Sequence, residues 1–187
     1  MGAFNRALAR EVLQSDSLRA NPDDRTTRQG QQSGGLFPAA TNALEALQAL
    51  ISEAVADYTA ALPVEAGHPF LGQRPERVRL HGWATVLDHG GYQEPHLHPS
   101  GWLSGVYYPM LPGVSSVAQD GRAGWLCFGE PGPTYCCRTE HPRHWIAPEE
   151  GLMVLFPSFM HHRTAPFAGH DRRISIAFDL MPREAGR

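Results

Sequence analysis

A chain of 187 residues with 42% hydrophobic content is long enough to build one domain around a sizeable core and short for two. The formal net charge of -3, with both signs mixed along the chain, excludes the dense basic patch of a phosphate-backbone binder, so the expected partner is a small-molecule or protein side-chain substrate and not nucleic acid. Three cysteines, two adjacent as Cys136 and Cys137, make neither an even disulfide framework nor a C-x-x-C zinc pair, and no apolar run nears the ~20 residues of a membrane span, so a cytoplasmic protein with no membrane partner is expected.

In chain order, residues 1–36 form a polar lead-in expected to be largely irregular, with a short helix over Ala3–Leu13 followed by a Pro-, Asp-, Gly- and Ser-rich stretch. Residues 37–187 are expected to form a single domain. It opens on an amphipathic helix over 42–62, where Leu44, Leu47, Ile51, Ala54, Val55, Tyr58 and Leu62 recur at helical spacing, Asn42 and Glu45 resemble a capping box, and Pro63 ends the run. That helix serves as a buttress or as a homodimer face, and the oligomeric state is left open. Beyond Pro63 the texture is β: RVRLHGWATVL, LSGVYYPML, GWLCFG, LMVLFP and RISIAFDL alternate with Gly, Pro and Asp clusters. One long helix followed by several short strands predicts a mainly β protein, an antiparallel sandwich or barrel with the helix packed outside. The loop 131–148 is long enough for a lid over a site.

Ten histidines are many for this length, and their spacing tells which matter. His96-x-His98 places two imidazoles on one face of an extended segment, the geometry a metal asks of two ligands on one strand. Downstream, the strand 152–156 runs through Pro157-Ser158 to His161-His162, and His162 is followed by x10-Arg173-x-Ser175. Along the last strand Arg173, Ser175 and Ala177 share one face and Ile174, Ile176 and Phe178 the other. An arginine and a serine pointing together form a fork suited to a carboxylate. Arg173 also reads as an ion-pair partner of Asp171 or Asp179, and Tyr107 and Tyr108 also fit sheet packing. Trp102, close after the H-x-H, is the tryptophan expected to wall a pocket.

The ordered set HLHPSGWLSGVYY, then LFPSFMHHRTAP, then RRISIAFD resembles the Fe(II)- and 2-oxoglutarate-dependent oxygenases, over roughly Arg79 to Asp179, and within them the branch with an F-P-S-x-x-x-H signature. The resemblance implies a double-stranded β-helix, a jelly-roll or cupin-like barrel, and a dioxygenase that couples hydroxylation of a substrate to decarboxylation of 2-oxoglutarate to succinate. It implies Fe(II) held by His96, His98 and His162, and 2-oxoglutarate held by Arg173, Ser175 and Tyr108. His161 is the rival to His162, but Arg172, which follows it after ten intervening residues, lies on the opposite strand face from Ser175. The sequence departs from the family's usual pattern at His98, where an Asp or Glu generally completes the ligand set; a third imidazole leaves the centre one negative charge poorer. Glu94, also two residues from His96, is the fallback carboxylate.

Two other readings remain open at this point. A cupin-like metal protein that does not use 2-oxoglutarate fits Gly90-x5-His96-x-His98 and Gly151-x5-Pro157, although the glutamate such a motif places after His98 is absent and Arg173-x-Ser175 goes unexplained. A catalytically silent metal- or ligand-binding module is the third, since fold alone does not assign activity.

Overall fold

The computed structural model describes residues 2–20, 26–38, 41–113, 121–132, 135, 139, 141–167 and 171–183. Helix α1 (Ala3–Leu13) and a strand pair, β1 (Arg19–Ala20) and β2 (Thr27–Gln32), occupy the lead-in. Helix α2 (Asn42–Ala61) follows. The remainder supplies β3 (Val78–His96), β4 (Leu103–Met110), β5 (Leu126–Phe128), β6 (His144–Ile146), β7 (Met153–Pro157), β8 (His162–Thr164) and β9 (Arg173–Pro182). The strands form one antiparallel sheet in the order β6-β5-β8-β3-β9-β4-β7, with β2 also bound to β3. Curled on itself, this sheet is a double-stranded β-helix.

The long strand β3 organises the curl. Its first half, Val78–Leu87, pairs residue by residue with β9, while Gln93 and His96 near its end pair with Thr164 and His162 of β8, with a register shift between the two. The shift falls around Pro95, which has no N–H to give to a ladder. One strand therefore serves both walls and delivers His96 opposite His162.

Both faces of the sheet are buried, each for its own reason. Ile174, Ile176 and Phe178 of β9, with Leu103 and Tyr107 of β4, pack under the helices against Leu8, Val12, Leu44, Leu47 and Ile51. On the opposite face Val106, Tyr108, Phe156, Leu126 and Phe128 line the interior of the barrel. Helix α2 packs outside as the spacing of its leucines requires, but its cap is Thr41, one residue before the expected Asn42: the Thr41 Oγ1 accepts the Leu44 amide at 3.3 Å. Leu62, extended ahead of Pro63, ends it.

The lead-in is not largely irregular. Leu8 and Val12 are fully buried, and Asn5 Oδ1 accepts the Tyr107 hydroxyl at 2.6 Å, which docks α1 on β4. β2 alternates too few apolar residues to announce itself as a strand, and it forms because β3 offers it a free edge. In the expected lid, β6 pairs with β5; Cys136 and Cys137 lie outside the described residues. Cys127 is a buried free thiol. Among the described residues no helix is long and apolar enough to cross a membrane.

Gly105 of β4 is crowded by its own cross-strand partners, since a Cβ there would stand 2.3 Å from Phe178 Cζ and 2.9 Å from Leu155 Cδ2. Gly105→Ala is therefore expected to destabilise the protein by ~1–3 kcal/mol through overpacking, read as a lower urea midpoint with unchanged slope. An unchanged midpoint would show that Phe178 can yield.

Candidate active site

His96 closes β3, His98 follows two residues later, and His162 opens β8. Their ligand atoms all lie within 4.8 Å of one another. Each ring is fixed through Nδ1. His96 Nδ1 donates to the Glu94 carbonyl at 2.6 Å, His162 Nδ1 to the Met160 carbonyl at 2.9 Å, and His98 Nδ1 to Asp179 Oδ1 at 2.6 Å. These bonds leave the three Nε2 atoms as the lone pairs that converge, which is the tautomer a metal needs.

Glu94 offers the cluster its backbone and not its carboxylate, which points outward to Arg28 at 2.7 Å. His161 does not join the cluster and packs edge-on against Tyr135, 4.5 Å between ring centres. Two cavities meet at the imidazoles. A narrow inner slot is walled by Trp83, Tyr108, Phe156, Thr164, Arg173 and Ser175, together with the three histidines. An outer groove of about 430 Å3 runs from His96 and His98 past Gln32, Ser33, Trp83, Gln93 and Ser100.

Arg173 is 1% exposed and has no carboxylate partner among the described residues. Its Nη1 reaches Ser175 Oγ at 3.4 Å, its Nε is buried without a partner, and its guanidinium stands 5.0 Å from the centre of the Tyr108 ring. Neither candidate ion pair forms, because Asp179 is held by His98 and Asp171 accepts the Gly113 amide. The Tyr108 hydroxyl is likewise buried without a partner. Burial pushes this phenol up against the opposing pull of Arg173, so it keeps its proton for donation. A buried cation with no counter-ion is costly, and an entering anion relieves that cost.

His96 and His162 are held neutral. Burial, chiefly, lowers His96 to about 4, and burial with the proximity of His96 and His98 lowers His162 well below the ordinary imidazole value. Both groups favour the folded state fully above the unfolded value near 6.5, and the contribution drains away as pH falls from there toward the folded value. The metal-free protein is expected to lose stability between pH 6.5 and about 4, by ~3 kcal/mol from His96 alone. Urea midpoints measured across that window check it, and a flat profile would contradict it.

The period-two pattern of β9 reaches further than the fork: Asp179 continues the face of Arg173, Ser175 and Ala177. It is the residue that sequence reasoning missed, and that alternation was its signal. Ser104 and Ser158, which join it, gave none. Trp102 stacks on Phe70 in the helix-side core, 4.8 Å between ring centres, and Trp83 takes the pocket wall instead.

A double-stranded β-helix with three converging imidazoles at the mouth of a slot containing a buried arginine defines a metal-dependent barrel enzyme. Residues 81–179, more than half of the chain, match the family model described as "Putative 2OG-Fe(II) oxygenase", and the chain belongs to that family. It is an oxidoreductase, a dioxygenase dependent on Fe(II) and 2-oxoglutarate. No curated protein sequence matches it. Among solved structures, it is similar to a prolyl-4-hydroxylase of Pseudomonas putida, at 19% identity over 96% of this chain and 86% of that one, with a TM-score of 0.65. It is also similar to HygX from Streptomyces hygroscopicus, solved with nickel and 2-oxoglutarate, at 12% identity over 98% and 80%, with a TM-score of 0.63. SnoK, a non-heme α-ketoglutarate-dependent carbocyclase from nogalamycin biosynthesis, matches at 14% identity over 95% and 73%, with a TM-score of 0.64. At these identities the likeness is one of fold.

Proposed function

We propose that His96, His98 and His162 hold the iron and that Arg173, with Ser175 and Tyr108, holds the far carboxylate of 2-oxoglutarate in an active hydroxylase. The observation that carries this reading is Arg173: a guanidinium buried without a counter-ion in the same slot that the three imidazoles enter. A dicarboxylate whose second end chelates a metal supplies what both ends of that slot lack. When bound, Fe(II) and 2-oxoglutarate supply O2 activation coupled to decarboxylation to succinate and CO2.

The chain's own residues do the positioning. Ser175 and the Tyr108 hydroxyl offer neutral hydrogen bonds beside the guanidinium, and Phe156, Val106 and Leu126 keep water from the slot. The outer groove shares Trp83, Gln93, His96 and His98 with the slot but not Arg173, so a substrate seated there would reach the imidazole cluster without occupying the arginine end of the slot. The groove suits a small molecule or a protein side chain. The cupin-like reading leaves Arg173 without a purpose, and the silent module is separated by turnover.

Anaerobic addition of Fe(II) and then 2-oxoglutarate is expected to produce the visible charge-transfer band of the chelate, and admission of O2 is expected to release succinate. Absence of the band overturns the binding assignment; a band without succinate under O2 makes the protein a silent binder.

A further inference from the structure

We infer that Asp179 is the carboxylate of this metal centre, acting at one remove: it takes the Nδ1 proton of His98 in a charge-assisted hydrogen bond, so that the imidazole offered to iron carries part of the missing negative charge. This rests on the ligand set proposed above and concerns what stands behind it. The three histidines are not backed alike. His96 and His162 give their Nδ1 protons to neutral carbonyls, of Glu94 and Met160, whereas His98 alone gives its proton to a carboxylate. His98 is also the residue that stands where the family resemblance expects a carboxylate ligand. The charge absent from the ligand position is thus present directly behind it.

The pair is built to stay in place. The two side chains are 10% and 11% exposed, with 2.6 Å between Nδ1 and Oδ1. Ser104, the cross-strand neighbour of Asp179, donates its hydroxyl to the same Oδ1 at 2.7 Å, and Ser158 Oγ lies 2.8 Å from Ser104 Oγ. The backbone closes over them: His98 N donates to the Ser158 carbonyl at 2.9 Å, and a Cβ on Gly101 would stand 2.5 Å from Ser158 Oγ and 3.4 Å from Asp179 Cγ. No lysine or arginine neutralises Asp179 among the described residues, so its charge is directed at the imidazole. A carboxylate behind a ligating histidine fixes its tautomer and raises its basicity. It also spares the ligand position itself, where the bulkier imidazole remains.

Asp179→Asn separates the two contributions, because the amide oxygen can still accept the Nδ1 proton while the charge is gone; Asp179→Ala removes the carboxylate altogether and leaves Nδ1 only the Ser104 hydroxyl, 3.0 Å away. In anaerobic Co(II) titrations without cosubstrate, Asp179→Asn is expected to bind ~10-fold more weakly than wild type and Asp179→Ala ~100-fold. With Fe(II) and 2-oxoglutarate, the charge-transfer band of Asp179→Asn is expected at higher energy, because less charge reaches the iron. A purely structural residue would not move that band. Equal Co(II) affinity and an unmoved band in Asp179→Asn overturn the inference. Thermal melts check that each variant folds, and if Asp179→Asn does not, Ser104→Ala decides. With one donor fewer on Oδ1, the carboxylate has more charge to give His98, so this variant is expected to bind Co(II) more tightly and to move the charge-transfer band to lower energy; wild-type affinity with an unmoved band overturns the inference. Wild-type protein that binds Co(II) but gives no band with Fe(II) and 2-oxoglutarate overturns the proposed cosubstrate role and leaves this inference standing.

Discussion

Arg173→Ala is expected to weaken 2-oxoglutarate binding by roughly 100-fold or more, the equivalent of ~3 kcal/mol for removing one partner of a buried charge pair. The charge-transfer band should then fail to form at cosubstrate concentrations that saturate wild type, while Co(II) still binds, because the hydrogen bond of the arginine goes to Ser175 and to none of the three imidazoles. Arg173→Lys is expected to recover only part of the loss, since a single ammonium cannot present two parallel donors to a carboxylate. The same residue makes a second, opposite forecast. In the ligand-free protein its guanidinium is buried with no carboxylate to meet it. Arg173→Met, which roughly keeps the volume and removes the charge, is therefore expected to stabilise the ligand-free protein by ~1–3 kcal/mol, read as a higher urea midpoint. A residue of structural value alone would lower it. Tight 2-oxoglutarate binding by Arg173→Ala would sink the assignment.

His162→Ala is expected to abolish stoichiometric Co(II) or Fe(II) binding, a loss larger than the ~10–100-fold typical of partners behind the ligands. The contrast lies with two neighbours that the sequence left in contention. Glu94→Ala is expected to retain metal affinity, because its carboxylate serves a surface ion pair with Arg28, worth at most about 1 kcal/mol. His161→Ala is expected to retain it as well, since its ring faces Tyr135 and stands apart from the cluster. Calorimetric titration of these three variants and of His98→Ala, side by side, reads the result. Loss of metal in Glu94→Ala with retention in His98→Ala would reverse the third position.

What was legible in the sequence was local. Alternation along β9 separated Arg173, Ser175 and Ala177 from Ile174, Ile176 and Phe178, and the structure puts the first set in the slot and the second under the helices. The leucine spacing of α2 likewise announced the buried side of that helix. Each depends on the geometry of a single element, where periodicity alone says which side chains share a face.

The tertiary structure decided everything that depends on register between elements. β2 is a strand because the edge of β3 accepts it, and Trp83 displaces Trp102 as the wall because β3 runs through both cavities. Asp179 lies 81 residues from His98, and only the pairing of β9 with β4 sets it beside Ser104, where it can meet that imidazole. Sequence determined which residues were candidates to hold a metal and a carboxylate; register determined which of them stand back to back, because a hydrogen bond depends on distance in space and the strand ladder sets that distance.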